Sequence, residues 1–108
     1  MTLRLSEPLT AYFKAANLHD VSAMLAPFAD DAFVVDEGQQ HRGLVAIREW
    51  MRETVENFAF QIDPIESSQR GSETLVVASI SGTFPGSPIT LQYKFEADGS
   101  KITGLEIG

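Results

Sequence analysis

A chain of 108 residues with 15 acidic and 8 basic side chains, and so a formal charge of -7, is sized for one domain around one core and poorly suited to neutralising phosphates or anionic membrane surfaces. It has no cysteine, which excludes disulfides, thiolate metal sites and cysteine nucleophiles. No apolar run approaches the ~20 residues that span a bilayer, and the first residues lack the apolar core of a secretory signal, so the expectation is a cytoplasmic protein with neither nucleic acid nor membrane as partner.

Ser6 can cap a first helix whose opening turn tolerates Pro8, and Leu5, Leu9, Tyr12, Phe13 and Ala16 then share one face at helical spacing. Asn17-Leu18-His19-Asp20 ends it. Asp20 can cap a second helix in which Val21, Met24, Leu25 and Phe28 follow the i, i+3, i+4, i+7 pattern, shortened by Pro27. Asp30-Asp31 reads as a turn before a strand from Ala32 to about Asp36. The polar stretch from Glu37 to Gly43 suits an exposed loop or a short hairpin.

A third helix is predicted from Leu44 to about Asn57, with Leu44, Ile47, Trp50, Met51, Thr54 and Val55 forming its apolar stripe. Beyond it, period-two alternation replaces helical spacing and Gly/Ser/Asp clusters recur. Four strands are expected: Phe58 to about Ser67, Thr74 to Thr83, Ile89 to Glu96 and Lys101 to Ile107. The third of these is the clearest, with Ile89, Leu91, Tyr93 and Phe95 on one face and Thr90, Gln92, Lys94 and Glu96 on the other. Helices first and an antiparallel meander afterwards indicate one α+β domain over residues 1–108, its curved sheet folded around the helices.

The chemistry concentrates at Phe33-Val34-Val35-Asp36-Glu37, where a strand-forming run stops on two carboxylates. Strand side chains alternate between faces, so Asp36 points with Val34, and Glu37 with Phe33 and Val35. One carboxylate must lean toward an apolar interior, where it is neutralised, paired or used. Asp36 is therefore a candidate general base; the alternative is a strand-end aspartate accepting backbone hydrogen bonds in the next turn. Elsewhere, two distant histidines give no ligand-spaced cluster, and no phosphate loop, Gly-x-Ser-x-Gly elbow or dinucleotide fingerprint occurs. Neither metal nor cofactor is expected.

Phe-Ala-Asp-Asp-Ala-Phe-Val-Val-Asp, followed by His41-Arg42-Gly43 opening a helix with Ile47 and Trp50 and then a four-strand tail, resembles the nuclear transport factor 2-like superfamily, in its SnoaL-like and ketosteroid-isomerase-like branch. The resemblance implies a cone-shaped α+β barrel of three N-terminal helices on a strongly curved, mostly antiparallel sheet, with a deep pocket and a homodimer formed through the sheet. It places Asp36 at the position of the isomerase general base and Tyr12 at that of the tyrosine that donates to the enolate oxygen. The second donor, a protonated aspartic acid in the isomerase, falls on Leu91, which cannot donate.

Tyr12 has an alternative role as a core tyrosine bonded to a neighbour. His41 could meet Asp36 or Glu37 across a hairpin as a proton shuttle, or sit in an exposed loop. Glu106 shares a face with Ile102 and Gly104, where branch members carry a polar pocket residue, or else pairs at the sheet edge. Phe13, Phe28, Trp50, Leu91 and Tyr93 complete the expected substrate-binding set, with core packing as the alternative. The function read from this is a pocket protein for a small apolar or cyclic, carbonyl-bearing compound: an isomerase, cyclase or dehydratase without cofactor, or a noncatalytic binding or dimerisation module of the same fold.

Overall fold

The computed structural model describes residues 5–108. The first helix, α1 (Glu7–Asn17), has Ser6 at its N-cap in extended backbone, although the serine side chain makes no capping bond; Pro8 sits in the first turn. Leu9, Tyr12, Phe13 and Ala16 are buried as their spacing requires. In α2 (Val21–Leu25) the capping carboxylate of Asp20 accepts from the Ala23 N–H at 3.2 Å.

Phe28 lies outside that second helix, contrary to the periodicity. Pro27 has no N–H to continue a helix, and its carbonyl instead accepts from Ile102 N at 2.8 Å, starting strand β1 (Phe28–Asp36). Asp30-Asp31 is thus inside a strand and not a turn. Beside it the pairing partners jump from Phe28↔Ile102 to Phe33↔Gly104, and this bulge lets both aspartates leave the ladder for solvent.

The stretch after Asp36 is a hairpin to β2 (Gln39–Arg42). Its two central residues, Glu37 and Gly38, have φ of 53° and 76°, the positive pair of a type I′ turn, whose twist matches the flanking strands. The third helix, α3 (Leu44–Asn57), buries Ile47, Trp50 and Met51. Four strands follow, β3 (Phe60–Arg70), β4 (Glu73–Gly82), β5 (Ile89–Asp98) and β6 (Lys101–Ile107).

All six strands form one sheet in the order β2-β1-β6-β5-β4-β3, parallel only between β1 and β6. The ends do not meet, so the cone is open and not a closed barrel; β2 and β3 are its edges, and the helices cover its inner face. Asn17, at the end of α1, ties the helix to one edge. Its amide donates to the Ile62 carbonyl at 2.8 Å and its amide oxygen accepts from Ile62 N at 2.6 Å.

Inside, Tyr12, Phe13, Phe28, Tyr93 and Phe95 meet edge to face at centroid distances of 5.3 to 5.8 Å, packing that fixes both tyrosine rings. Outside, the Phe33 ring lies on Gly104, where a Cβ would come within 2.6 Å of it. The ladder with β5 also skips Thr103, passing from Ala97↔Ile102 to Glu96↔Gly104. That irregularity breaks the alternation that would have put Ile102, Gly104 and Glu106 on one face: Ile102 is in the core while Glu106 is exposed.

Candidate active site

Between the sheet and the three helices lies a partly open cavity of about 380 Å³. That volume suits a small ligand of one or two rings. Its walls are apolar and aromatic, including Trp50, Phe58, Phe60, Phe84 and Leu91. Tyr12, Asp36, Glu37, Thr54 and Tyr93 bring the polar atoms, and no Lys, Arg or His lines it among the described residues.

Asp36 ends β1 on the same face as fully buried Val34, as alternation requires, and its side chain reaches the cavity half-buried. Trp50 Nε1 donates to its Oδ2 at 3.0 Å. Helix α3 brings the indole there, and this bond fixes the direction of a carboxylate that forms no ion pair among the described residues. One oxygen is held by the indole and the other is left for a ligand.

Tyr12 and Tyr93 are buried, 2% and 4% exposed, and both line the cavity. Burial pushes the Tyr12 hydroxyl well above the ordinary phenol pKa, and the nearby Tyr93 and Asp36 add to the rise. Tyr93 is raised in the same direction, first by burial and then by the Asp36 charge. Both groups are therefore neutral donors.

The structure brings Asp36, Tyr12, Trp50, Leu91 and Tyr93 to one cavity, but the other expected substrate-binding residues lie elsewhere. Phe13, one position from Tyr12 on the helix, turns into the aromatic cluster between Tyr93 and Phe95. Phe28 packs on Tyr12 and lines a separate groove with Arg48 and Lys101. His41 is paired with Val34 on the edge strand, its ring 6.2 Å from that of Trp50, and it does not line the cavity. Glu106 is exposed beside Lys94 and Val35 because of the Thr103 irregularity.

Conversely, Ile62, Ile80, Phe84 and Ile107 line the cavity without having been singled out. For Ile80 and Ile107 the signal was strand alternation with Ile89 and Tyr93, their cross-strand neighbours. Among the described residues no group of three potential ligands gathers to hold a metal ion, and no helix is long and apolar enough to cross a membrane.

Residues 9–104 match the SnoaL-like domain family. A candidate polyketide cyclase from Sinorhizobium meliloti is 40% identical, with 96% of this chain and 95% of that one covered and a TM-score of 0.92. A protein from Catenulispora acidiphila with a ketosteroid isomerase-like fold, in complex with trimethylamine, is 20% identical over 97% of this chain and 86% of that one, with a TM-score of 0.85. SalBIII, an epoxide hydrolase/cyclase-like enzyme of pyran ring formation in salinomycin, is 24% identical over 94% and 86%, with a TM-score of 0.81. The last two likenesses concern the fold alone. No curated protein matches the chain.

Proposed function

We propose that this chain, which belongs to the SnoaL-like domain family, is a cofactor-independent proton-transfer enzyme acting on a small, uncharged, carbonyl-bearing cyclic compound. The observation that carries the reading is the Asp36 carboxylate, held by Trp50 Nε1 at the wall of an apolar cavity with no basic side chain beside it among the described residues. A base so placed meets a C–H bond and no competing cation, and the absence of lining cations disfavours acidic substrates.

Asp36 takes the proton from the carbon next to the carbonyl, and the C–H electron pair moves into the enolate. Tyr12 donates a hydrogen bond to the enolate oxygen as its charge grows, an interaction stronger in the transition state than in the ground state. Protonated Asp36 then returns the proton to another carbon, giving isomerisation. If the enolate carbon instead attacks an electrophile within the same molecule the outcome is cyclisation, and loss of a group from the β-carbon is elimination. The cyclase name of the Sinorhizobium meliloti relative supports the second outcome.

Deuterium exchange tests the reading without knowledge of the natural substrate. Small cyclic ketones incubated with the chain in D2O should exchange the hydrogens beside the carbonyl, followed by proton NMR, and Asp36→Asn should slow the exchange by about 100-fold or more. An equal rate in the variant removes Asp36 from the chemistry. Ketone binding without exchange in either protein leaves the noncatalytic binding module. A homodimer is part of the proposal, supported by half-buried Phe33, Val35, Leu75 and Val77 on strand faces turned away from the core; a monomer by light scattering at micromolar concentration removes it.

A further inference from the structure

The cavity is apolar even where it meets solvent. Phe58 is 39% exposed and Ile89 36%, and with half-buried Phe84 and exposed Pro85 they line its outer part. Single exposed apolar side chains are common on protein surfaces, but four of them continuous with a cavity make a patch of the kind that a ligand covers.

This rim is held in place by the backbone on both sides. Phe58 directly follows α3 and Phe84 lies in the loop between β4 and β5, yet the two rings meet edge to face at a centroid distance of 6.2 Å. The residues next to them are tied together: Thr83 N donates to the Ala59 carbonyl at 3.1 Å, and Ala59 N donates to Thr83 Oγ1 at 3.2 Å. Gly82 permits this approach, because a Cβ there would collide with the Ala59 carbonyl. The Ser87 hydroxyl accepts from Gly82 N at 2.8 Å and folds the loop back on itself, and Pro85 and Pro88 restrict its backbone.

Strand register sets the rim apart from Asp36. Asp36 pairs with Ile107, and Ile107 with Tyr93, so Asp36 stands level with Tyr93 across the sheet. Ile89 lies four residues back along β5, about 13 Å from Tyr93 at the usual rise of a strand. A single-ring ketone that touches Asp36 therefore leaves Phe58, Phe84 and Ile89 bare to water.

We propose that Phe58, Phe84 and Ile89 form an outer subsite that selects an elongated ligand: a cyclic ketone carrying an apolar ring or chain on the side away from its carbonyl. The inference rests on the proton-transfer reading for the placement of the carbonyl and names the shape of the compound that this reading takes. Seating the extension on the rim removes apolar surface of both from water, and a flat extension adds edge-to-face contact with the two rings.

The probe is 4-phenylcyclohexanone, whose phenyl group stands opposite the carbonyl, with cyclohexanone as the truncated reference. By calorimetry the unmutated chain should bind the phenyl compound about 30-fold more tightly than the reference. Phe58→Ala and Phe84→Ala should each cut that ratio about fivefold.

A ratio of about threefold or less in the unmutated chain, or one that Phe58→Ala leaves intact, overturns the subsite. So does a smaller oligomer by light scattering in Phe58→Ala with the ratio intact, which gives the rim to a second copy of the chain. Should Phe84→Ala fail to fold, Phe58→Ala, at the more exposed position, decides alone. The two readings also fail separately. Ketone exchange that survives Asp36→Asn while the ratio depends on Phe58 sinks the general base and supports the subsite; lost exchange with a ratio indifferent to Phe58 does the reverse.

Discussion

Alkaline pH should unfold this protein through its two tyrosines, and the size of the effect follows from their burial. Tyr12 and Tyr93 are the chain's entire tyrosine content and both have pKa values raised in the folded state. Above about pH 10 the unfolded chain releases both phenol protons while the folded chain keeps them, so the unfolded state binds fewer protons and stability falls as pH rises. The stabilisation is complete below the unfolded pKa and is lost above it.

From about pH 9 to about pH 11 each tyrosine should remove ~1.4 kcal/mol, ~2.8 kcal/mol together. With a urea m-value of ~1.5 kcal/mol/M, the unfolding midpoint drops by roughly 2 M. Urea melts at the two pH values measure this, and phenolate absorbance should appear only with unfolding. The Tyr12→Phe/Tyr93→Phe double variant supplies the background from other groups and should lose most of the dependence. An equal midpoint drop in the double variant, or phenolate absorbance before the unfolding transition, would refute the placement of the two hydroxyls.

Trp50→Phe removes the 3.0 Å bond to Asp36 and should slow ketone deuterium exchange about tenfold, mostly in kcat, with the thermal melt far less affected. Gly104→Ala drives a methyl into the Phe33 ring and should destabilise by about 1 to 3 kcal/mol in urea melts; combining it with Phe33→Leu should recover part of the loss in a double-mutant cycle. Asn17→Ala leaves the Ile62 N–H and carbonyl without their partners, so about 1 to 3 kcal/mol should be lost and the Ile62 amide should exchange faster with solvent. Glu37→Asn suits the positive φ of 53° better than glutamate and should stabilise by about 0.5 kcal/mol in the same melts.

The parts of the fold that were legible are those where one periodicity rules a whole element. In α1, at Ile47, Trp50 and Met51 of α3 and at Tyr93 and Phe95 of β5, apolar positions that repeat in sequence are buried, whereas Ile89 and Leu91 of the same β5 face are exposed and half-buried along the cavity. Where two signals competed, the local one misled. Phe28 continues the helical spacing of α2, yet Pro27 blocks the helix and Ile102 captures the freed carbonyl from far along the chain. Asp30-Asp31 looks like a turn because only a bulge opposite β6 makes two exposed acids tolerable within a strand.

The candidate site divides in the same way. Asp36 and Tyr93 were readable from alternation, since the register is regular from Phe33 to Asp36 in β1 and from Ile89 to Tyr93 in β5. Glu106 was not, because the irregularity at Thr103 depends on how three strands register against one another. The neighbours Tyr12 and Phe13 share an apolar face, and nothing in their spacing says that one borders the hollow while the other fills the core. The hollow itself is a deficit of side-chain volume among elements distant in sequence, a quantity that no local pattern encodes.

The clasp that Asn17 makes on Ile62 bears on how this molecule stays discrete. An eleven-residue rim strand such as β3 carries backbone groups able to recruit a strand from another molecule, the first step toward fibrous aggregates. At Ile62 that role is already occupied by an amide of the protein itself, and two positions on, Pro64 has no hydrogen to offer. Asn17 would then guard solubility as well as anchor a helix, and its loss should be felt in concentrated solution before it is felt in a dilute melt.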